Sequence, residues 1–478
     1  NQNANGAPNF PDGITVSGVI TSTTLNANVT GDLTVTGNVG VGGTLTYEDV
    51  TNIDSVGIIT ARTDVLVGST IKLGASSGII TATSYRGDAS QMTGAGLGTD
   101  GSANTSGIIT ATAFVSTQGQ LSHRNKVING AMAVSQRGTT FASTLSEGQY
   151  TMDRFMHSIR GTNDSYYYQV SDSPDGFNKS MKVTCNSTYT PSGSDNAGFI
   201  TSLEGQDLQD FAFGTSSAKS ITISFYAKSG SQNNGHQYSF QIRTHPSGGA
   251  TNRIVTKAFT VTSSWQRFTM TFPGDTSNDI KNSTDYQGFE FIFHLATGPD
   301  DLVAAQPTWT STYTNWRGVT GQSNFMDNTN NEFYFTGCQL EVGPVATPFE
   351  HRSFGDELNR CLRYYNKVYD VGGQSGEKPF LLGTYLNSSE LACVVQFPKM
   401  RTVPTLDISN GTNVFMIRRN SASDNFNTFS MRYGTTTTAE LYVTSNVSGT
   451  AGQCGIIRGA DTNVYIAFNA ELLSSSTK

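Results

Sequence analysis

The sequence predicts an all-β protein, a repetitive shaft followed by two β-sandwich domains, and three observations carry that prediction. A six-residue phrase recurs as Gly57-Ile58-Ile59-Thr60-Ala61-Arg62, Gly78-Ile79-Ile80-Thr81-Ala82-Thr83 and Gly107-Ile108-Ile109-Thr110-Ala111-Thr112, with a degenerate copy at Gly18-Val19-Ile20-Thr21-Ser22-Thr23. Only 14% of the 478 residues are charged while 50 are glycine, a balance that suits strands joined by tight turns. Beyond residue 120 the apolar residues alternate with polar ones, the period-two pattern of half-buried strands.

Residues 1–120 read as the shaft. Each repeat is too short to bury its own apolar face, so burial has to come from neighbouring repeats or neighbouring chains. Phe10, Tyr47, Tyr85 and Phe114 are the only aromatic residues there, and short runs such as Leu33-Thr34-Val35-Thr36 place small branched side chains on one face. Three identical chains around one axis would cover every exposed strand edge, so a homotrimer is expected.

The texture changes at Leu121, and residues 121–354 read as a jelly-roll sandwich. Ile221-Thr222-Ile223-Ser224-Phe225-Tyr226-Ala227, the run Gln237 to Ile242, Phe268-Thr269-Met270-Thr271-Phe272 and Phe289-Glu290-Phe291-Ile292-Phe293 each send one set of large apolar side chains to one face, as strands of two packed sheets do. Residues 355–365 read as a connector helix. Leu358, Cys361, Leu362 and Tyr365 form its stripe, with Asp356 and Glu357 early and Arg360 and Arg363 late, as the helix dipole favours. Residues 366–478 alternate again and read as a smaller β tip domain.

Composition removes several function classes. A net charge of −7 with no lysine or arginine cluster excludes a nucleic-acid partner. No run of about 18 apolar residues is present, so no membrane insertion is expected. The five cysteines, Cys185, Cys338, Cys361, Cys393 and Cys454, have no C-x-x-C spacing and read as free thiols, mostly core, of a protein folded in a reducing cytoplasm. His123, His157, His236, His245, His294 and His351 are isolated, so no metal or other cofactor is expected; His294, alternating with Phe291 and Phe293, should face outward. Gly74-Ala75-Ser76-Ser77-Gly78 matches the nucleophile-elbow pattern without the strand-turn-helix context an elbow needs. Glu204, Asp207, Asp210, Asp300 and Asp301 lie in polar turn-like stretches, where acids are solvated, and no catalytic residue is assigned.

Several stretches resemble a known family. The glycine-isoleucine repeats, Leu33-Thr34-Val35-Thr36-Gly37-Asn38-Val39 and Thr44 to Asp54 look like tail-fibre and structural proteins of marine bacteriophages, notably those infecting cyanobacteria. Asn129-Gly130-Ala131-Met132, Gln136-Arg137-Gly138, Asp153-Arg154-Phe155, Gln339-Leu340-Glu341-Val342-Gly343, Ala346 to Glu350 and Arg363-Tyr364-Tyr365 are similar to a jelly-roll module of phage fibres that looks like a carbohydrate-binding domain. The resemblance implies a trimeric virion fibre, assembled in the host cytoplasm with other tail or baseplate proteins, that adsorbs to host surface glycan without catalysis. A purely architectural head fibre, whisker or baseplate spacer is the alternative, and a polysaccharide depolymerase tailspike the second alternative.

Sugar faces stack on aromatic rings while their hydroxyls bond to planar polar groups. Trp309, Tyr313 and Trp316, in a stretch without apolar alternation, are therefore the expected glycan-binding residues. Trp265 reads as core or rim, and Asn420 to Asn427 as a polar tip loop with Phe426 exposed.

Overall fold

The computed structural model describes residues 12, 15–19, 32, 34–40, 42, 122–142, 145–161, 164–282, 287–311, 317–373 and 377–472. The chain divides into two compact units, Asn1–Ile109 and Thr110–Lys478. In the first unit Val16, Val19, Val35 and Val39 are exposed. The repeats at 57–62, 78–83 and 107–112, and with them most of the shaft, lie outside the described residues.

The second unit begins with β1 (Thr140–Phe141), β2 (Phe155–Arg160), β3 (Asp164–Val170), β4 (Ser180–Ser187), β5 (Asn196–Glu204), β6 (Ile221–Ser229), β7 (Gln237–Thr244), β8 (Arg253–Thr260), β9 (Gln266–Phe272) and β10 (Gln287–Thr297). The short β11 (Leu302–Val303), β12 (Thr310–Ser311) and β13 (Gly318–Val319) lead to β14 (Glu332–Val342). Among the described residues these make two six-stranded antiparallel sheets, ordered β1-β3-β4-β14-β6-β9 and β12-β8-β7-β10-β5-β2. The chain passes back and forth between the sheets, the winding of a jelly roll.

Alternation explains the core. Ile221, Ile223, Phe225, Met270, Phe272, Phe289, Phe291 and Phe293 are buried between the sheets, with Phe268 partly buried against them. Phe293 is the hub: its ring stacks on Phe199 at 4.7 Å and meets Phe335 and Phe225 edge-on at 4.6 and 5.2 Å. Such tilted and stacked pairs contribute about 0.5–1.5 kcal/mol each beyond their burial.

On the opposite face of β10 the pattern brings a correction. His294 does point away from the core, yet it is buried and its Nε2–H donates to Gln241 Oε1 at 2.9 Å. The segment after β10 covers that face: the Arg317 backbone N–H donates to Gln241 Oε1 at 3.0 Å and that of Val319 to Ser239 Oγ at 3.2 Å. Period two assigns a face; it cannot say whether a later loop returns over it.

Helix α1 (Phe354–Leu362) follows, capped by Ser353 Oγ, which accepts the Asp356 N–H at 3.2 Å. Beyond it run β15 (Tyr365–Asp370), β16 (Lys378–Asn387), β17 (Glu390–Gln396), β18 (Thr405–Ile408), β19 (Phe415–Arg419), β20 (Ala422–Phe426), β21 (Ser430–Arg432), β22 (Thr438–Val443), β23 (Cys454–Gly459) and β24 (Tyr465–Asn469). Among the described residues a three-stranded sheet, β15-β24-β18, and a seven-stranded sheet, β20-β19-β23-β16-β17-β22-β21, close on a core of Tyr385, Leu391, Phe415, Phe426, Ile457 and Phe468. Phe426 is thus buried, not exposed. The expected tip loop is instead a hairpin, β19 to β20, whose turn residues Asn420 and Ser421 both have positive φ, the backbone that matches a hairpin's twist.

Charged residues clasp the sandwich to the terminal domain. Glu204, at the end of β5 and 1% exposed, accepts both Nε and Nη2 of Arg363 at 2.8 Å and the Tyr364 hydroxyl at 2.6 Å. Arg154 pairs with Glu471 and lies 3.5 Å over the Tyr364 ring. The Tyr150 hydroxyl donates to the Leu472 carbonyl at 2.5 Å.

Candidate functional site

Of the three expected glycan-binding residues, Tyr313 and Trp316 lie outside the described residues. Trp309 is a core residue. Its indole N–H donates to the Pro273 carbonyl at 2.7 Å, and its ring meets Phe213 edge-on at 5.4 Å and leans on Phe289 at 6.1 Å. With 8% of its surface exposed, it offers no free face for a sugar. Trp265 sits at the rim, donating to Asp172 at 3.1 Å.

The carboxylates weighed for acid chemistry are not all solvated. Glu204 is the buried clasp just described. Asp210 pairs with Lys126 at 3.0 Å, and the buried Asp301 with Arg317 at 3.1 Å, while Asp207 and Asp300 are exposed. Ser76 lies outside the described residues. His157 is buried against the Tyr167 hydroxyl at 3.1 Å and His245 contacts Glu290 at 3.0 Å. Among the described residues no cluster of histidine, cysteine and carboxylate side chains is placed to hold a metal.

A cleft of about 410 Å³ opens where the sandwich meets the terminal domain, within the size range of small-ligand sites. Arg137, Gln149 and Tyr150 line it from the sandwich side; Tyr365, Lys367, Asp407, Tyr465 and Asn469 come from the three-stranded sheet. Local structure explains the convergence. On β15, Tyr365 and Lys367 are two residues apart and share a face; β24 brings Tyr465 opposite Asp370 and Asn469 opposite Tyr365; β18 adds Asp407 from the other edge.

Asp407 is held by both tyrosines. Tyr365 donates to its Oδ2 at 3.0 Å and Tyr465 to its Oδ1 at 2.9 Å. Burial, reinforced by the Asp407 charge, raises both phenols, that of Tyr465 to about 12, so both stay neutral donors. Arg137 forms the floor, 3.6 Å over the Tyr365 ring and 5.2 Å from Tyr150, with Glu471 at 3.4 Å from its Nη2. Its Nη1 has no hydrogen-bond acceptor among the described residues, the closest carboxylate oxygen, on Asp153, being 3.9 Å away. Lys367 lies 5.3 Å over the Tyr465 ring. Rings, a fixed carboxylate and the amides of Gln149 and Asn469 therefore share one wall-to-wall space.

A second, smaller cavity of about 210 Å³ is lined by Phe177, Phe349 and His351. Its rings pack on one another at 4.9–5.0 Å, which uses up the faces a ligand would need.

No signal in the sequence marked the cleft. Its residues are spread from Arg137 to Glu471, and only Arg137 and Tyr365 fell in stretches singled out beforehand.

No family model matches the chain, and no curated protein matches it in sequence. Solved structures with some similarity include the family 11 carbohydrate-binding module from Clostridium thermocellum in complex with a β-1,3-1,4-mixed-linked tetrasaccharide, at 16% identity over 44% of this chain and 99% of that one, TM-score 0.23. Another is a family 22 xylan-binding domain from Paenibacillus barcinonensis, at 12% identity over 47% of this chain and 100% of that one, TM-score 0.22. A third is the enzymatically active domain of a bacteriophage CBA120 tailspike, at 12% identity over 46% of this chain but 21% of that one, TM-score 0.24. At such scores none of them says what this chain binds.

Proposed function

We propose that this chain is a non-catalytic glycan-binding protein, a virion fibre that adsorbs to host surface polysaccharide, with the cleft between its two β domains as the sugar site. The observation that carries the proposal is the half-buried Tyr465 ring, whose hydroxyl meets Asp407 beside Gln149 and Asn469, with the buried Tyr365 holding the same carboxylate in place. A pyranose needs that combination: an apolar face against a ring, and hydroxyls against planar donors and acceptors whose positions are already fixed. The sequence resemblance to phage fibres supplies the role. Engagement of Glu204, Asp210 and Asp301 in ion pairs takes up three of the five acids weighed for hydrolysis and leaves only the exposed Asp207 and Asp300.

Binding of the full chain to immobilised host surface polysaccharide tests the proposal. Tyr465→Ala and Gln149→Ala should weaken it at least about tenfold, equivalent to about 1.4 kcal/mol, while Asp407→Ala should also lower the melting temperature by stripping the buried Tyr365 hydroxyl of its acceptor; no reducing ends should appear on prolonged incubation. Loss of binding in Tyr313→Ala or Trp316→Ala but not in the cleft variants would move the site to the 309–317 stretch. A wild-type chain that binds no polysaccharide would leave the architectural role.

A further inference from the structure

The outer face of the seven-stranded sheet is built for contact. Leu382, Val394 and Ile456 stand on it at 74%, 61% and 39% exposure, and strand pairing makes them one patch, while the exposed Leu386 lies at a register shift in the β16–β17 pairing. Leu382 is directly opposite Ile456 across β16 and β23. On the other side Thr384 pairs with Ala392, so Leu382 and Val394, two residues along on antiparallel strands, are neighbours on the same face. Single exposed apolar residues need no explanation, whereas a contiguous set on a regular sheet does.

The flanks of the patch identify what covers it. On the β19–β23 side, Arg418 and Arg458 share one carboxylate, Glu377, at 3.5 and 3.0 Å. On the β17–β22 side, Glu390 and Glu440 share one guanidinium, Arg432, at 2.7 and 2.5 Å. One flank is left with a net positive charge and the other with an equal negative charge, with the apolar row between them. Such a surface complements itself. Turning a second copy over about an axis along the strands keeps Leu382 near Leu382 and sets each positive flank on a negative one; three copies around a three-fold axis along the strands likewise join positive flank to negative flank.

We infer that this face is a self-association surface, occupied by further copies of this chain, with the Arg418 edge of one copy against the Glu440 edge of the next. The surface lies on the opposite sheet from the glycan cleft and stands independently of it.

Cysteine cross-linking of the full chain tests this directly. In a Cys454→Ser background, which removes the exposed thiol on the same face while the other four cysteines are buried, the pair Arg418→Cys and Glu440→Cys should give an interchain product with a bis-maleimide spanning about 10 Å, the separation of packed sheets. Either substitution alone should give none, and adding Leu382→Glu should abolish it. No interchain product in the double variant, an equal product from a single variant, or an undiminished product with Leu382→Glu would each overturn the inference. The number of copies in the product distinguishes a pair from a three-fold ring, and either supports it.

Discussion

Individual side chains decide where this protein can meet a ligand. Trp309 is the instructive case: its composition and loop context suggest a sugar platform, but the Pro273 bond and the Phe213 and Phe289 contacts make it part of the core. Trp309→Ala should therefore cost about 3–5 kcal/mol, as large-to-small core changes do, seen as an early thermal transition; unchanged melting would return it to the surface. Buried histidines set the response to acid. Burial lowers His157 from 6.5 to about 4, and burial with nearby Arg243 lowers His294 from 6.5 to about 3. A depressed histidine favours the neutral folded form, so its stability is complete above pH 6.5 and drains away as pH falls towards 4 and 3. Glu290, held at about 2 against burial by Arg243 and His245, contributes stability that is lost below 4.5. All three push the same way. Denaturant midpoints should fall steadily from pH 7 to pH 3, and His294→Gln should make that decline shallower throughout the range below pH 6.5; a midpoint constant down to pH 4 would contradict this.

At the scale of elements, much of the sandwich was legible and its surroundings were not. The runs at Ile221–Ala227 and Phe289–Phe293 state their inward faces through strict alternation, and Leu358, Cys361 and Leu362 of the expected stripe fall in α1 (Phe354–Leu362), whereas Tyr365, expected in the same helix, instead starts β15. What alternation lacks is knowledge of long-range cover. His294 is roofed by the segment carrying Arg317 and Val319, and Phe426 is drawn into a hairpin by positive φ at Asn420 and Ser421, residues that read equally well as an open loop. The cleft was invisible for the same reason, since Tyr365, Asp407 and Tyr465 become neighbours only through the β15-β24-β18 pairing. The clasp at Glu204 is testable on this scale. Glu204→Gln leaves the partly exposed Arg363 without its anionic partner, a loss of about 1.5–3 kcal/mol for hydrogen bonds to a charged group. The sandwich and terminal domain should then melt as two transitions in calorimetry rather than one, and a single unshifted transition would show the clasp to be dispensable.

For the whole molecule, the proposed cleft and the inferred self-association surface together would make a multivalent adhesin. A single cleft can be weak, because several clefts on one assembly engaging one polymer raise avidity by about 10²–10⁴ when the spacing permits. Assembled chain should accordingly bind polysaccharide far more tightly than a short oligosaccharide of the same sugars, and equal affinities in titration calorimetry would mean that the sites act singly. The central claim is that the sugar lies between the two β domains, and hydroxyl-radical footprinting of the full chain with and without bound polysaccharide tests it most directly. Tyr465 and Lys367, both half-buried at the cleft, should lose reactivity when polysaccharide is bound, with Gln149 alongside them. Protection confined to the 309–317 stretch, with Tyr465 and Lys367 unchanged, would contradict it.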